Sequence, residues 1–201
     1  SPCGNAISAS SFSYSTGITL NLKVFIEGFY LGGGEMIGII SPSITDTLTV
    51  ELALAVAPYT ILYSDTKTIS TLGNGAFSFP SAAVGSSYYI VVKHRNGLEC
   101  WSGAPLLCNT SVMTYDFSSL QSKAYGGNIH ALGDGFFAIW SGDVNQDGFI
   151  ESSDYSSVEN SSQIFLFGYV NDDLTGDGIV ESADYSLIEN NSQLFLIVAR
   201  P

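Results

Sequence analysis

Two acidic loops in the last third of the chain repeat in register, with Asp143 of the first matched by Asp173 of the second. The first runs from Asp143 through Asn145, Asp147, Gly148, Phe149 and Glu151 to Asp154, and the second from Asp173 through Thr175, Asp177, Gly178, Ile179 and Glu181 to Asp184. Side-chain oxygens fall at loop positions 1, 3 and 5, a glycine at 6 allows a sharp turn, and a carboxylate closes position 12. The backbone carbonyls of Phe149 and Ile179 supply position 7, and Glu151 and Glu181 at position 9 bind directly or through water. Each loop gathers three or four negative charges, an arrangement that is unfavourable without a cation. Two structural calcium sites are the expectation, with a pair of metal-free Asx-rich turns as the alternative.

The repeat continues past the ligands. Asp154-Tyr155-Ser156 through Gln163-Ile164-Phe165-Leu166 aligns with Asp184-Tyr185-Ser186 through Gln193-Leu194-Phe195-Leu196, so the unit is loop, short helix and apolar tail. This tandem resembles the dockerin-type calcium repeat, an EF-hand variant with Asp at position 12 and no full helix before the loop. Thr175 departs from the usual Asn or Asp at position 3, so the second site is expected to bind more weakly unless water or Asp172 compensates.

Acidity follows the loops. Against 19 acidic residues the chain has only 6 basic ones, and eleven of the acidic residues lie between Asp143 and Glu189. Nucleic acid is excluded as a partner, because a polyanion needs a basic patch and Lys93-His94-Arg95 is the one cluster, read here as a solvated strand end. No apolar run reaches the length of a membrane span and no signal peptide is present, so the chain reads as a processed, extracellular protein, secreted or at the cell surface.

From Gly17 to Trp140 the signals are those of strands. Ile18, Leu20, Leu22, Val24 and Ile26 alternate with Thr19, Asn21, Lys23 and Phe25, and Leu48, Val50, Leu52 and Leu54 repeat the pattern. Shorter runs follow between Gly-rich turns, which describes an antiparallel β-sandwich. The stretch Leu72-Gly73-Asn74-Gly75-Ala76-Phe77-Ser78-Phe79-Pro80, then Val84-Gly85 through Tyr88-Tyr89-Ile90-Val91-Val92-Lys93, is similar to prealbumin-like sandwiches of the carboxypeptidase-regulatory or collagen-adhesin B type, which implies architecture and no catalytic residue.

The expected fold is therefore mainly β: residues 1–16 as an N-terminal extension or strand, 17–141 as a prealbumin- or immunoglobulin-like sandwich, and 142–201 as a small α module of two dockerin-like calcium hands. The junction at Ser141-Gly142 has no linker, so the module is expected to pack on the sandwich, with the tails Ile164 to Phe167 and Leu194 to Val198 buried in the contact. Cys100 and Cys108 bracket a turn-rich stretch suited to a hairpin-closing disulfide, leaving Cys3 free or linking chains; three reduced, buried thiols are the alternative.

Chemistry beyond calcium is thin. His94 and His130 are the only histidines, and no nucleophile, base or phosphate-loop motif accompanies them, so no enzyme is expected. Phe29, Tyr30, Tyr59, Tyr63, Tyr88 and Trp101 are candidates for a glycan-stacking row. Asn109, in Asn109-Thr110-Ser111, fits an N-linked acceptor, and Thr47, in Asp46-Thr47-Leu48, resembles a bacterial O-glycosylation sequon. The first functional expectation is an extracellular structural or adhesive protein, a surface or fibre subunit joined to copies of itself by N-terminal strand addition through Ser8 to Thr16. The second is a dockerin-type recognition module that binds a cohesin-like protein in a secreted carbohydrate-active system.

Overall fold

The alternation that begins at Ile18 builds a strand that ends sooner than the pattern does. The computed structural model describes residues 17–201. The expected role of the stretch before Gly17, the strand addition through it and the pairing of Cys3 lie outside the described residues. Strand β1 (Ile18–Lys23) buries Ile18, Leu20 and Leu22 on one face. Val24, Phe25 and Ile26 are then all buried, because the chain steps from one sheet into another at this point. Phe25, placed by the alternation on the polar face, is thus a core residue of β2 (Phe25–Ile26).

A short hairpin, β3 (Tyr30–Gly32) with β4 (Glu35–Met36), precedes the longest ladder, β5 (Ile44–Leu54) against β6 (Ile61–Ser70). Then come β7 (Asn74–Phe79), β8 (Ser87–His94), β9 (Gly97–Trp101), β10 (Leu106–Leu107), β11 (Val112–Asp116), β12 (His130–Ala131) and β13 (Phe137–Ile139). One main sheet has the order β11-β1-β7 and the other β10-β8-β5-β6 with β9 also on β8, while β12-β13-β2 forms a third. The main sheets pack face to face: Ile18, Leu20, Leu22, Phe77, Phe79 and Met113 from one share a core with Leu48, Val50, Leu52, Ile90 and Val92 from the other. This is a β-sandwich, but not a purely antiparallel one. β1 pairs in parallel with β11 and β2 in parallel with β13, because the chain returns to these neighbours only after crossing the second sheet.

The expected Cys100–Cys108 disulfide is not formed; both are buried free thiols. β9 and β10 are not the arms of a hairpin but successive partners along one edge of β8. Cys100 lies opposite Val92, whereas the Cys108 N–H donates to the Ser86 carbonyl. Six residues of extended chain separate those two partners, roughly 20 Å, far beyond the reach of about 7 Å between Cα atoms that a disulfide tolerates.

Among the described residues, the two helices of eight residues or more lie in the C-terminal segment. They are α1 (Ser152–Gln163) and α2 (Ser182–Ser192), accompanied by β14 (Phe149–Ile150) and β15 (Leu196–Ile197). Val144, Ile150 and Val158 pack with Leu174, Val180 and Ile188, their repeat counterparts, in a second core that also takes in Leu98 of the sandwich. The two units exchange partners: Phe149 and Ile150 of the first loop pair with Ile197 and Leu196 of the second tail, and Phe167 of the first tail bridges to Ile179 of the second loop. The Tyr155 and Tyr185 rings meet at 5.3 Å between centroids, so the local two-fold relation extends across the helix pair.

Candidate functional site

The four carboxylates at loop positions 1 and 12, Asp143, Asp154, Asp173 and Asp184, are all buried. In the first loop Asp143 accepts N–H groups of Asp147 (3.1 Å) and Gly148 (3.2 Å), and Asp154 accepts those of Val144 (2.9 Å), Asn145 (3.2 Å) and Glu151 (3.1 Å). Asn145 and Asp147 close successive turns by accepting the N–H of Asp147 and of Phe149. In the second loop Asp173 accepts from Gly176 and Gly178, Asp177 from Ile179, and Asp184 from Thr175 and Glu181. Position 3 differs as the sequence implies: the Thr175 hydroxyl reaches Asp173 only at 3.5 Å.

Glu151 and Glu181 have another occupation. Each caps the helix that follows its loop: its carboxylate accepts the N–H of Asp154 or Asp184, and that aspartate accepts the glutamate N–H in return. A water-mediated role at position 9 suits that geometry better than direct ligation. The Asp172 carboxylate, beside the second loop, accepts the hydroxyls of Ser157 (2.9 Å) and Ser161 (2.6 Å) on α1.

Electrostatics give the loops their character. Burial, and then the negative charges of Asp154 and Asp147, push the Asp143 carboxyl up to about 7 despite the N–H groups it accepts. Burial likewise raises Asp154, and for Asp173 the charge of Asp184 adds to it. Buried carboxylates that repel one another, surrounded by neutral oxygens from Asn145, Thr175 and backbone carbonyls, are a donor set that suits a hard divalent cation. Among the described residues, however, no three His, Cys, Asp or Glu side chains converge as a metal group. The aspartates are turned onto backbone N–H groups instead.

Arg95 fixes the start of the second loop to the sandwich, and the reading of Lys93-His94-Arg95 as a solvated strand end is corrected for His94 and Arg95. His94 is buried, and its Nε2 lies 3.2 Å from Asp46 Oδ2. Arg95 donates from Nε to the same Asp46 oxygen at 3.1 Å, while its Nη atoms reach the carbonyls of Val170 and Asp173. The Tyr169 hydroxyl also donates to Asp46. Burial works against the Asp46 charge, but these donors and the Thr47 N–H outweigh it and hold the carboxyl at about 2. Lys93 pairs with Glu51 at 2.9 Å and Glu99 at 3.5 Å.

Two asparagines and two glycines complete the junction, which sequence reasoning missed. Asn96 donates to the carbonyls of Asn171 (3.0 Å) and Asp173 (2.9 Å), and Asn191 donates to Glu27 and to the Ser141 carbonyl, both at 2.8 Å. A Cβ on Gly28 would sit 2.0 Å from the Leu174 carbonyl oxygen. Gly142, at φ 130°, leaves room for Ile150 and Ile188. A buried Asn next to a strand end is the only sequence signal such a staple offers.

The remaining candidates scatter. Phe29, Tyr88 and Trp101 belong to the hydrophobic clusters, so the expected aromatic row is not assembled, although Tyr59, Tyr63 and Tyr30 remain half-exposed. His130 Nε2 lies 3.7 Å from Glu27 and its ring 4.5 Å from that of Trp140. Asn109 is exposed, and Thr47 is half-buried on the rim of an open cleft of about 460 Å³ with Arg95 and Tyr169. The apolar tails were expected in the junction, and only Val198 packs on the sandwich, against Ala53, Val91 and Trp101, while Ile164, Phe165, Phe167, Leu194, Phe195 and Ile197 are all more than half exposed. Only Leu166, Leu196 and Val198 of the tails pack on the helical core.

No protein-family model and no curated protein matches the chain. Solved structures do. Two crystal structures of a type II Cohesin-X-Dockerin complex from Acetivibrio cellulolyticus, a C-terminal and an N-terminal interface mutant, each contain a similar chain, with TM-scores of 0.54 and 0.53 and 16 % identity over 91 % of this chain and 98 % of that one. At that identity the likeness is one of fold, and the fold it supports is the β-sandwich. Among the described residues no helix is long and apolar enough to cross a membrane.

Proposed function

We propose that the chain is an extracellular, non-catalytic protein-recognition module in which two dockerin-like calcium loops, docked rigidly on a β-sandwich, present a surface to a cohesin-like partner. The observation that carries this reading is the extent of the structural likeness. The likeness spans 91 % of this chain and 98 % of the neighbour, and the fold it supports is the β-sandwich. The similar chains come from complexes of cohesin with an X-dockerin, and this chain adds to the shared sandwich fold two loops spaced for calcium.

In this reading calcium is held by Asp143, Asn145, Asp147, the Phe149 carbonyl, Asp154 and, through water, Glu151, and by Asp173, Thr175, Asp177, the Ile179 carbonyl, Asp184 and Glu181. Bound there, the cation neutralises carboxylates that otherwise repel one another. The chain's own residues do the rest: the reciprocal Glu–Asp caps orient each helix from its loop, and Arg95 and Asn96 hold the backbone at the start of the second loop against the sandwich. Loops of this class suit millimolar extracellular calcium. The fibre-subunit reading rests on Ser8 to Thr16, and no contact among the described residues favours it.

The test is affinity capture from the native extracellular fraction with the immobilised chain, in millimolar calcium and in excess chelator. A β-sandwich protein retained only with calcium is the expected result. Calcium-dependent polymerisation of the chain alone, with no other protein retained, would return the fibre reading to first place.

A further inference from the structure

The two apolar tails are exposed in a conformation that does not favour the residues they carry. Each helix ends in a left-handed turn: the Phe165 and Leu166 N–H groups donate to the carbonyls of Ser162 and Ser161, and Phe195 donates to Ser192 in the same way. The residue at the turn has φ of 49° for Phe165 and 50° for Phe195. Glycine is favoured there, and a side chain with a Cβ costs about 1–2 kcal/mol. Burial of the ring does not offset that cost, since Phe165 is 57 % and Phe195 81 % exposed. The same unfavourable choice is made at the same position of both repeats.

Resting on the recognition-module reading, we propose that these tails, centred on Phe165 with Ile164 and Phe167 and on Phe195 with Leu194 and Ile197, are the contact surface for the partner, and that the partner's face has an apolar centre and a basic rim. Charge decides the occupant. Between Asp143 and Ala199 the chain carries eleven acidic residues and no Lys or Arg. A second copy brings the same charge, −13 in total, or −13 + 4 = −9 with two divalent cations bound, and meets repulsion. An apolar face ringed by Lys and Arg meets both the exposed rings and the acidic surround, and its association weakens with salt.

The test places p-benzoylphenylalanine singly at Phe165, Phe195 and, as a control on the sandwich, the exposed Leu72 of the full chain in calcium. Each variant is irradiated in the native extracellular fraction, and the crosslinked peptides are identified. The expected result is one protein other than this chain, joined from position 165 or 195 at an apolar site flanked by Lys or Arg, with a yield that falls severalfold between low and high salt. Crosslinks from the tails only to a second copy or to lipid overturn the proposal. A partner captured at Leu72 alone overturns it but leaves the recognition reading standing, whereas capture at no position removes both. Phe165→Gly and Phe195→Gly separate binding from folding: each is expected to keep or raise the melting temperature, and together they should lower capture from the natural surface about tenfold. A clear fall in melting temperature for both would assign the rings to the fold and overturn the proposal.

Discussion

The guanidinium of Arg95 lies 4.4 Å from the centre of the Tyr169 ring, and both side chains end on the buried carboxylate of Asp46. Asp46 is a residue of β5, Arg95 follows β8, and Tyr169 belongs to the tail between the two calcium-type loops. One carboxylate therefore gathers donors from both main parts of the chain. Breaking a buried pair by removing one partner leaves an uncompensated charge, so each member is costly to lose singly.

Acid should open this junction in two stages. His94 is held below its ordinary 6.5, chiefly by burial, so the folded state binds fewer protons than the unfolded one, and stability begins to fall as pH drops below about 6.5. Asp46 is lowered from 3.8 to about 2, so its contribution is intact above about 4 and is lost as pH falls through about 2. The shift corresponds to about 2 kcal/mol for this buried group. Urea midpoints measured from pH 8 to pH 2 are expected to show both declines, with His94→Gln flattening the upper one and Asp46→Asn the lower. Because the raised Asp143, Asp154 and Asp173 carboxyls take up protons in the folded state over the same range and oppose the upper decline, the measure is each variant's difference from wild type, and differences that do not change with pH would contradict the assignment.

Gly28 reports on the same junction from the backbone side. Alanine there sets a Cβ against a main-chain carbonyl, that of Leu174, which has no free rotamer to yield. Gly28→Ala is expected to destabilise by about 2–4 kcal/mol, in the range of other overpacking and backbone clashes. Gly85→Ala, at an open turn with a positive φ, controls for backbone strain without a clash and should cost about 1 kcal/mol. Equal losses for the two variants would mean that the close approach to Leu174 carries no energy.

Calcium removal is expected to lower the melting temperature, because the unfolded chain scatters the carboxylates that the loops gather. The two loops should not respond alike. Asp143→Ala, which removes a carboxylate that accepts two backbone N–H groups as well as a cation ligand, is expected to reduce titrated stoichiometry from two to one and lower the melting temperature even in chelator. Thr175→Asp restores an anionic ligand at the weak position and is expected to tighten the second site about tenfold. Isothermal titration checks both, and no heat of calcium binding to the native protein would remove the metal from the account.

Local pattern made some of this legible and left the rest hidden. The tight turns of the two loops, the repeat and the buried faces of β1 and β5 follow from spacing, because turn chemistry and strand periodicity are local properties. The parallel pairing of β1 with β11 is not local: Leu20 meets Met113 only once the whole second sheet has been laid down. His94 and Arg95 read as solvent-facing for the same reason, since Asp46 and Tyr169, distant in sequence, take them out of water. The tails misled in the opposite sense. Their hydrophobicity implied burial, but around the left-handed turns at Phe165 and Phe195 the side chains of Ile164, Phe165, Phe167, Leu194 and Phe195 face solvent.

The cysteines supply the sharpest test of the strand order. Cys100 and Cys108 lie along one edge of β8, opposite Val92 and Ser86, and both thiols are buried. Burial, and secondarily the charge of Glu99, push Cys100 up to about 12, and burial raises Cys108 as well. Thiolate is the reactive form, so neither should react with a disulfide reagent at pH 8 until the fold opens. A non-reduced digest is expected to yield both peptides unjoined to each other, and labelling in increasing denaturant should track the unfolding transition. A Cys100–Cys108 peptide pair from native material would mean that β9 and β10 close on each other, and the order β10-β8-β5-β6 would have to be redrawn.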